Sequence, residues 1–148
     1  MLVALCAIVH YVTQPLSLRL SEAIVQRLGL NACRRHLPPR TLAQRYVEEG
    51  LRMDEHPLVR FVDGPSRRRA RLVGTGIDVW EVISVVRDNG GDVRAAAAYL
   101  ELSVGLVQAA VSYYGAYTGE VDEWIELNAL ESEDAHAAWV AGRAALER

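Results

Sequence analysis

The 148-residue chain contains no lysine, so all sixteen of its cationic side chains are arginines. A phosphate-binding loop ending in Gly-Lys is therefore absent, and no nucleophile elbow occurs either. Cysteine is nearly as scarce. Cys6 and Cys33 have no CxxC spacing and no histidine pair nearby, which argues against a structural zinc site or a disulfide framework and makes a reducing cytoplasm the default location. His10, His36, His56 and His136 are scattered, and paired carboxylates occur only in runs with helical spacing. No catalytic constellation is legible, so neither an enzyme nor a metal or other cofactor is expected. Long apolar runs are lacking too. The opening MLVALCAIVHYV has no basic n-region and is too short to span a bilayer. Residues 1–13 read as an apolar leader or extra strand, and no membrane partner is expected.

What is present is an ordinary globular composition, 51% hydrophobic and 24% charged. A chain of this length buries about two thirds of its extended surface on folding and needs no covalent staples. The net charge of −3 hides an asymmetry: residues 1–71 hold twelve arginines and six acids, whereas residues 72–148 hold four arginines and thirteen acids. A basic half suits a polyanion, and an acidic half suits either a basic partner or plain solubility.

Residues 15–20, Pro-Leu-Ser-Leu-Arg-Leu, put Leu16, Leu18 and Leu20 on one face and Pro15, Ser17 and Arg19 on the other. That is strand periodicity. Ser21 reads as an N-cap with Glu22 in the first turn, and Ile24, Val25, Leu28 and Ala32 recur at helical spacing to about Arg35. His36-Leu37-Pro38-Pro39 breaks the helix, and a second starts near Pro39 with the stripe Leu42, Ala43, Tyr46, Val47 and Leu51. A lone strand leaves backbone donors and acceptors unpaired, and pairing it antiparallel with a second copy satisfies them.

Strand, helix, turn, helix in this order, QPLSLRLSEAIVQRL followed by PPRTLAQRYVEEGL, resembles the ribbon-helix-helix family of DNA-binding proteins over residues 14–52. The resemblance implies a homodimer through residues 15–20, a two-stranded ribbon in the major groove, and Pro15, Ser17 and Arg19 as base contacts. Family members clamp a phosphate with backbone amides at the start of the second helix, where this chain has Pro38 and Pro39. Arg40 and Thr41 are the substitutes expected there, with Arg34 and Arg35 as further phosphate contacts.

Beyond Glu55 the pattern turns to short extended pieces, Leu58 to Val62 and Arg71 to Val79, joined by a basic turn. Arg67, Arg68 and Arg69 in that turn are a second candidate phosphate site. Helices are expected at Val79 to Asp88, Val93 to Leu100 and Ser103 to Tyr117. The last two carry the small residue, hydrophobic turn, Ser cap and buried valine of a helix-turn-helix in Ala97, Leu100, Leu102, Ser103 and Val107. Its exposed residues Val104, Gly105, Gln108 and Ser112 include no arginine, so packing or protein contact is expected rather than DNA reading. Thr118 is expected to cap a long acidic helix from Gly119 to Glu147.

With LVGTGIDVWEVI and SYYGAYTGEVDEWI, the block from His56 to Asn128 resembles a small trihelical domain family found in VapB-type antitoxins, which neutralise PIN-domain ribonucleases. Where members carry an arginine in their glycine-rich segment, this chain has Gly76.

The expectation is thus a mainly α chain with short β. It comprises a ribbon-helix-helix unit (14–54), a strand pair with a trihelical, helix-turn-helix-like domain (56–117), and an amphipathic acidic C-terminal helix (118–148). The resemblances imply an antitoxin that binds operator DNA as a dimer and neutralises a PIN-domain ribonuclease. Trp139 and Arg143, four apart and so on one helix face, are the candidate toxin contacts. The alternative is a transcription regulator or scaffold without a toxin.

Overall fold

The computed structural model describes residues 15–64 and 67–147. The leader or extra strand expected at 1–13 lies outside the described residues. The protein is mainly helical, with six helices and one two-stranded antiparallel sheet among the described residues: α1 (Glu22–Arg34), α2 (Pro39–Glu55), β1 (Val59–Val62), β2 (Arg69–Leu72), α3 (Val79–Asp88), α4 (Val93–Tyr99), α5 (Val104–Ala116) and α6 (Thr118–Leu146). The chain divides into two compact units, Met1–Arg45 and Tyr46–Arg148. The division falls inside α2 rather than after it.

In the first unit, residues 15–20 form no strand within the single chain, and all six are exposed. Ser21 has the extended backbone of an N-cap, but its side chain makes no capping bond. Helix α1 closes through Leu37 N–H donating to the Ala32 carbonyl, with His36 in the left-handed region at φ 51°. Proline at the first position of α2 starts the next helix without wasting a donor. Ala32 and Leu42 are buried, while Leu16, Leu18, Leu20, Ile24, Val25 and Leu30 remain exposed.

The second unit has a contiguous core. Val59, Leu72, Val79, Val82, Ile83, Ala96, Ala97, Val107, Ala110, Tyr113 and Val121 pack together from the hairpin and from α3 to α6. The strands pair Val59 with Leu72 and Val62 with Arg69. The second strand therefore begins two residues earlier than the sequence pattern suggests and ends at Leu72, with Arg69 in the ladder rather than the turn. Gly64 permits the turn: its N–H donates to the Arg67 carbonyl, and a Cβ there would meet that oxygen at 2.5 Å.

Helices α3 to α5 form around caps that the sequence announces. The Glu81 carboxylate accepts from the Asp78 N–H, Asp92 accepts from the N–H groups of Arg94 and Ala95, and Ser103 accepts from that of Leu106. Axes α4 and α5 are bent by 119°. Ala97 and Val107 are buried, and Leu100 and Leu102 pack on the core, as the helix-turn-helix pattern requires. Helix α6 departs from expectation at its start. Tyr117 occupies the N-cap position, and the Thr118 hydroxyl donates back to the Tyr114 carbonyl instead of capping. Its first turns bury Val121 and Trp124, whereas every residue from 129 to 147 is exposed. Among the described residues, no single helix is long and apolar enough to cross a membrane.

Candidate nucleic-acid and partner surfaces

The unit boundary sharpens the charge asymmetry. Residues 1–45 contain six arginines and one acid, Glu22, and no further acid occurs before Glu48. Within the first unit, Pro15, Ser17 and Arg19 are exposed and alternate with the three leucines. The tight end of α1 brings Arg34, in its last turn, and Arg35, at its C-cap, close in sequence to Arg40 and Thr41 in the first turn of α2; all four are exposed. Among the described residues Arg19, Arg34 and Arg40 make no ion pair. These exposed arginines can accept anions.

The arginines of the hairpin sit in different surroundings. Arg68 donates from Nε and Nη2 to the two oxygens of Glu49 at 2.6 and 2.8 Å, from Nη1 to Asp63 at 2.9 Å and from Nη2 to the Phe61 carbonyl at 2.8 Å. Arg69 and Arg71 flank the buried Asp78, each with Nε 3.0 and 2.7 Å from its oxygens. Arg67 reaches Glu123 at 2.7 Å and lies over the Trp124 ring at 4.6 Å. The positive run that stands out in the sequence is thus matched by carboxylates of its own unit. These partners lie as far as 56 residues away along the chain, so no local pattern could reveal them.

A polar cluster that sequence reasoning missed secures the end of α2. Arg52 donates to Glu120 at 2.5 Å and to the Tyr113 hydroxyl at 3.2 Å, and its guanidinium lies 4.2 Å from the centre of the Tyr117 ring. Tyr113 in turn donates to Glu120 at 2.8 Å, Tyr117 donates to Glu55 at 3.1 Å, and His56 meets both tyrosines edge-on. Burial works against the charge on Arg52, but Glu120 and Tyr113 outweigh it and hold the guanidinium more firmly protonated than usual. Burial, reinforced by Glu120, pushes the Tyr113 hydroxyl well above the ordinary tyrosine range. The cluster is fully engaged with itself, which marks it as structural.

On α6, Trp139 is 57% exposed, with the His136 ring stacked on it at 5.9 Å and the Arg143 guanidinium 5.4 Å from its centre. The i, i+4 spacing does bring Trp139 and Arg143 onto one face, although Arg143 also pairs with Glu147 at 3.1 Å. Val140 and Leu146 are exposed nearby in sequence. No group of three His, Cys, Asp or Glu side chains among the described residues is placed to share a metal ion. Comparison of the chain with protein-family models, curated proteins and solved structures returned no match.

Proposed function

We propose that this chain is a ribbon-helix-helix DNA-binding protein that acts as a homodimer through residues 15–20, and that it is the antitoxin of a module whose toxin is a PIN-domain ribonuclease. One observation carries the DNA reading: the first unit leaves Leu16, Leu18, Leu20, Ile24 and Val25 in solvent while concentrating six arginines against one acid. A second copy covers the leucines by strand pairing, and the opposite face with Pro15, Ser17 and Arg19 then enters a major groove. Arg34, Arg35, Arg40 and Thr41 hold phosphates at its sides. Because Arg67, Arg68 and Arg69 are matched by carboxylates, this reading places the phosphate contacts on the first unit alone.

The toxin half rests on α6. A helix that exposes eighteen consecutive residues, with a tryptophan and an arginine on one face and acids around them, suits a partner that is apolar and basic. Arg143 offers a planar fork to the carboxylates that hold a ribonuclease's metal.

Light scattering and gel shifts on the intact chain test both halves. Leu18→Pro removes a ladder donor and abolishes dimer and specific DNA binding together. Arg19→Ala weakens specific binding by about 1–3 kcal/mol and relaxes preference at one base pair. A Leu18→Pro monomer that still bound a specific duplex would refute the ribbon. Deleting residues 129–148 leaves dimer and DNA binding intact but releases a genomically neighbouring PIN-domain ribonuclease from inhibition. Unchanged inhibition, or the lack of any such neighbour, favours the alternative of a regulator or scaffold without a toxin.

A further inference from the structure

From Tyr46 onward, helix α2 packs on the second unit by its polar face. Glu49 is held by Arg68, Arg52 by Glu120 and Tyr113, and Glu55 accepts from the Tyr117 hydroxyl. Tyr46, Val47, Gly50, Leu51 and Asp54 recur at helical spacing on the opposite side. Tyr46, Val47 and Leu51 are exposed there, as is Leu58 just beyond the helix. An amphipathic helix ordinarily buries its apolar stripe and shows its charges to water. This one does the reverse, with four large apolar side chains in solvent between residues 46 and 58.

On the same side Gly50, Met53, Asp54, Pro57 and Arg60 line an open cleft of about 600 Å³. Gly50 brings no side chain, and a Cβ there would meet nothing within 4 Å, so another helix can approach closely at this point. Asp54 and Arg60 line the cleft with opposite charges but do not pair with each other. Among the described residues Asp54 makes no ion pair, and Arg60 donates to the backbone carbonyls of Pro57 and Val59. A surface holding one unpaired anion, one unpaired cation and an apolar stripe complements itself. Turned about a two-fold axis over the cleft, it sets the anion of each copy against the cation of the other.

We propose that this face of the second unit is an interface with a second copy of the chain. Tyr46, Val47 and Leu51 of each protomer cover the cleft of its partner, and Asp54 of each pairs with the partner's Arg60. This rests on the homodimer reading above and extends the contact beyond residues 15–20. A two-stranded ribbon is at best marginally stable in water, and a stable interface takes about 800 Å² from each partner. Six residues of strand per copy fall short of that, so the dimer needs a further apolar contact, which this face supplies. Four side chains and one ion pair per copy are likewise too few to hold two chains alone, so Leu18→Pro still gives a monomer.

Sedimentation of the full-length chain over a dilution series tests this. Asp54→Arg sets arginine against arginine in both halves of the contact, and Arg60→Asp sets aspartate against aspartate. Each variant alone dissociates at a concentration about tenfold or more above that of the wild type. An equimolar mixture of the two dissociates near the wild-type concentration, because the mixed dimer again joins opposite charges at both places. Mixing cannot restore a pairing made within one chain. Leu51→Ser removes an exposed side chain, so it leaves the helix content by circular dichroism unchanged while weakening the dimer about tenfold. If the charge variants dissociate as the wild type does, if mixing restores nothing, or if Leu51→Ser leaves the dimer unchanged, this interface is overturned and the ribbon dimer stands. A wild-type chain that is monomeric throughout the series overturns the homodimer reading and this interface with it.

Discussion

Arg68 and Glu49 face each other fork to fork, two parallel hydrogen bonds of 2.6 and 2.8 Å joining the hairpin to the last turns of α2. Glu49 is 9% exposed. Its charge is therefore tolerable only while the guanidinium is present. Arg68→Ala is expected to lower stability by about 2–4 kcal/mol in urea denaturation, because it strands Glu49 and also removes the bonds to Asp63 and the Phe61 carbonyl. Arg68→Lys keeps the charge but not the planar fork and should recover less than half of that loss. A neutral result for Arg68→Ala would mean that Glu49 reorients into water.

Tyr113 supplies a pH dependence with a definite sign. Its hydroxyl is held protonated in the folded state by burial and by Glu120, whereas in the unfolded chain it ionises near pH 10. The folded state thus binds the extra proton above that pH. Stability from this group is complete below about pH 10 and falls as the pH rises further. In Tyr113→Phe the alkaline decline becomes shallower, at a cost of about 1 kcal/mol near neutrality for the lost hydroxyl bonds. Thermal melts between about pH 8 and pH 11 compare the two slopes.

Glu101 repeats the His36 geometry in the second unit, at φ 55° on the turn between α4 and α5. It is exposed, and its position is two residues from the Ser103 cap. Glu101→Gly is expected to raise stability by roughly 0.5–1 kcal/mol with no effect on DNA affinity. Differential scanning calorimetry beside a gel shift separates the two effects.

Trp139 lies on a stretch of α6 that is exposed on every side. Trp139→Ala should therefore change the chain's stability by no more than about 0.5 kcal/mol. If the tail engages a ribonuclease, the same substitution weakens that complex by about 2 kcal/mol or more, as expected for an aromatic anchor. Calorimetric titration of the ribonuclease with each form measures the difference. A large loss of stability in the free protein would instead place Trp139 in an interface between copies of this chain.

The features legible in the sequence are those set by near neighbours. The break at Pro38-Pro39, the Ser103 cap and the buried Val107 depend on residues within a turn or two, so pattern and propensity suffice to place α1, the start of α2, and α3 to α5 within one or two positions. The alternation of Leu16, Leu18 and Leu20 was equally plain, yet among the described residues those leucines form no strand. The fate of the arginines was not legible. Arg67, Arg68 and Arg69 read as one basic patch because sequence shows charge without showing distance. Only the fold sets Glu49, Asp78 and Glu123 against them, and at 2.6 to 3.0 Å a carboxylate decides what a guanidinium is free to do. Tyr113, Glu120 and Arg52 converge for the same reason: 61 and 68 residues of chain separate Arg52 from its two partners, and the packed core closes that interval to hydrogen-bond length.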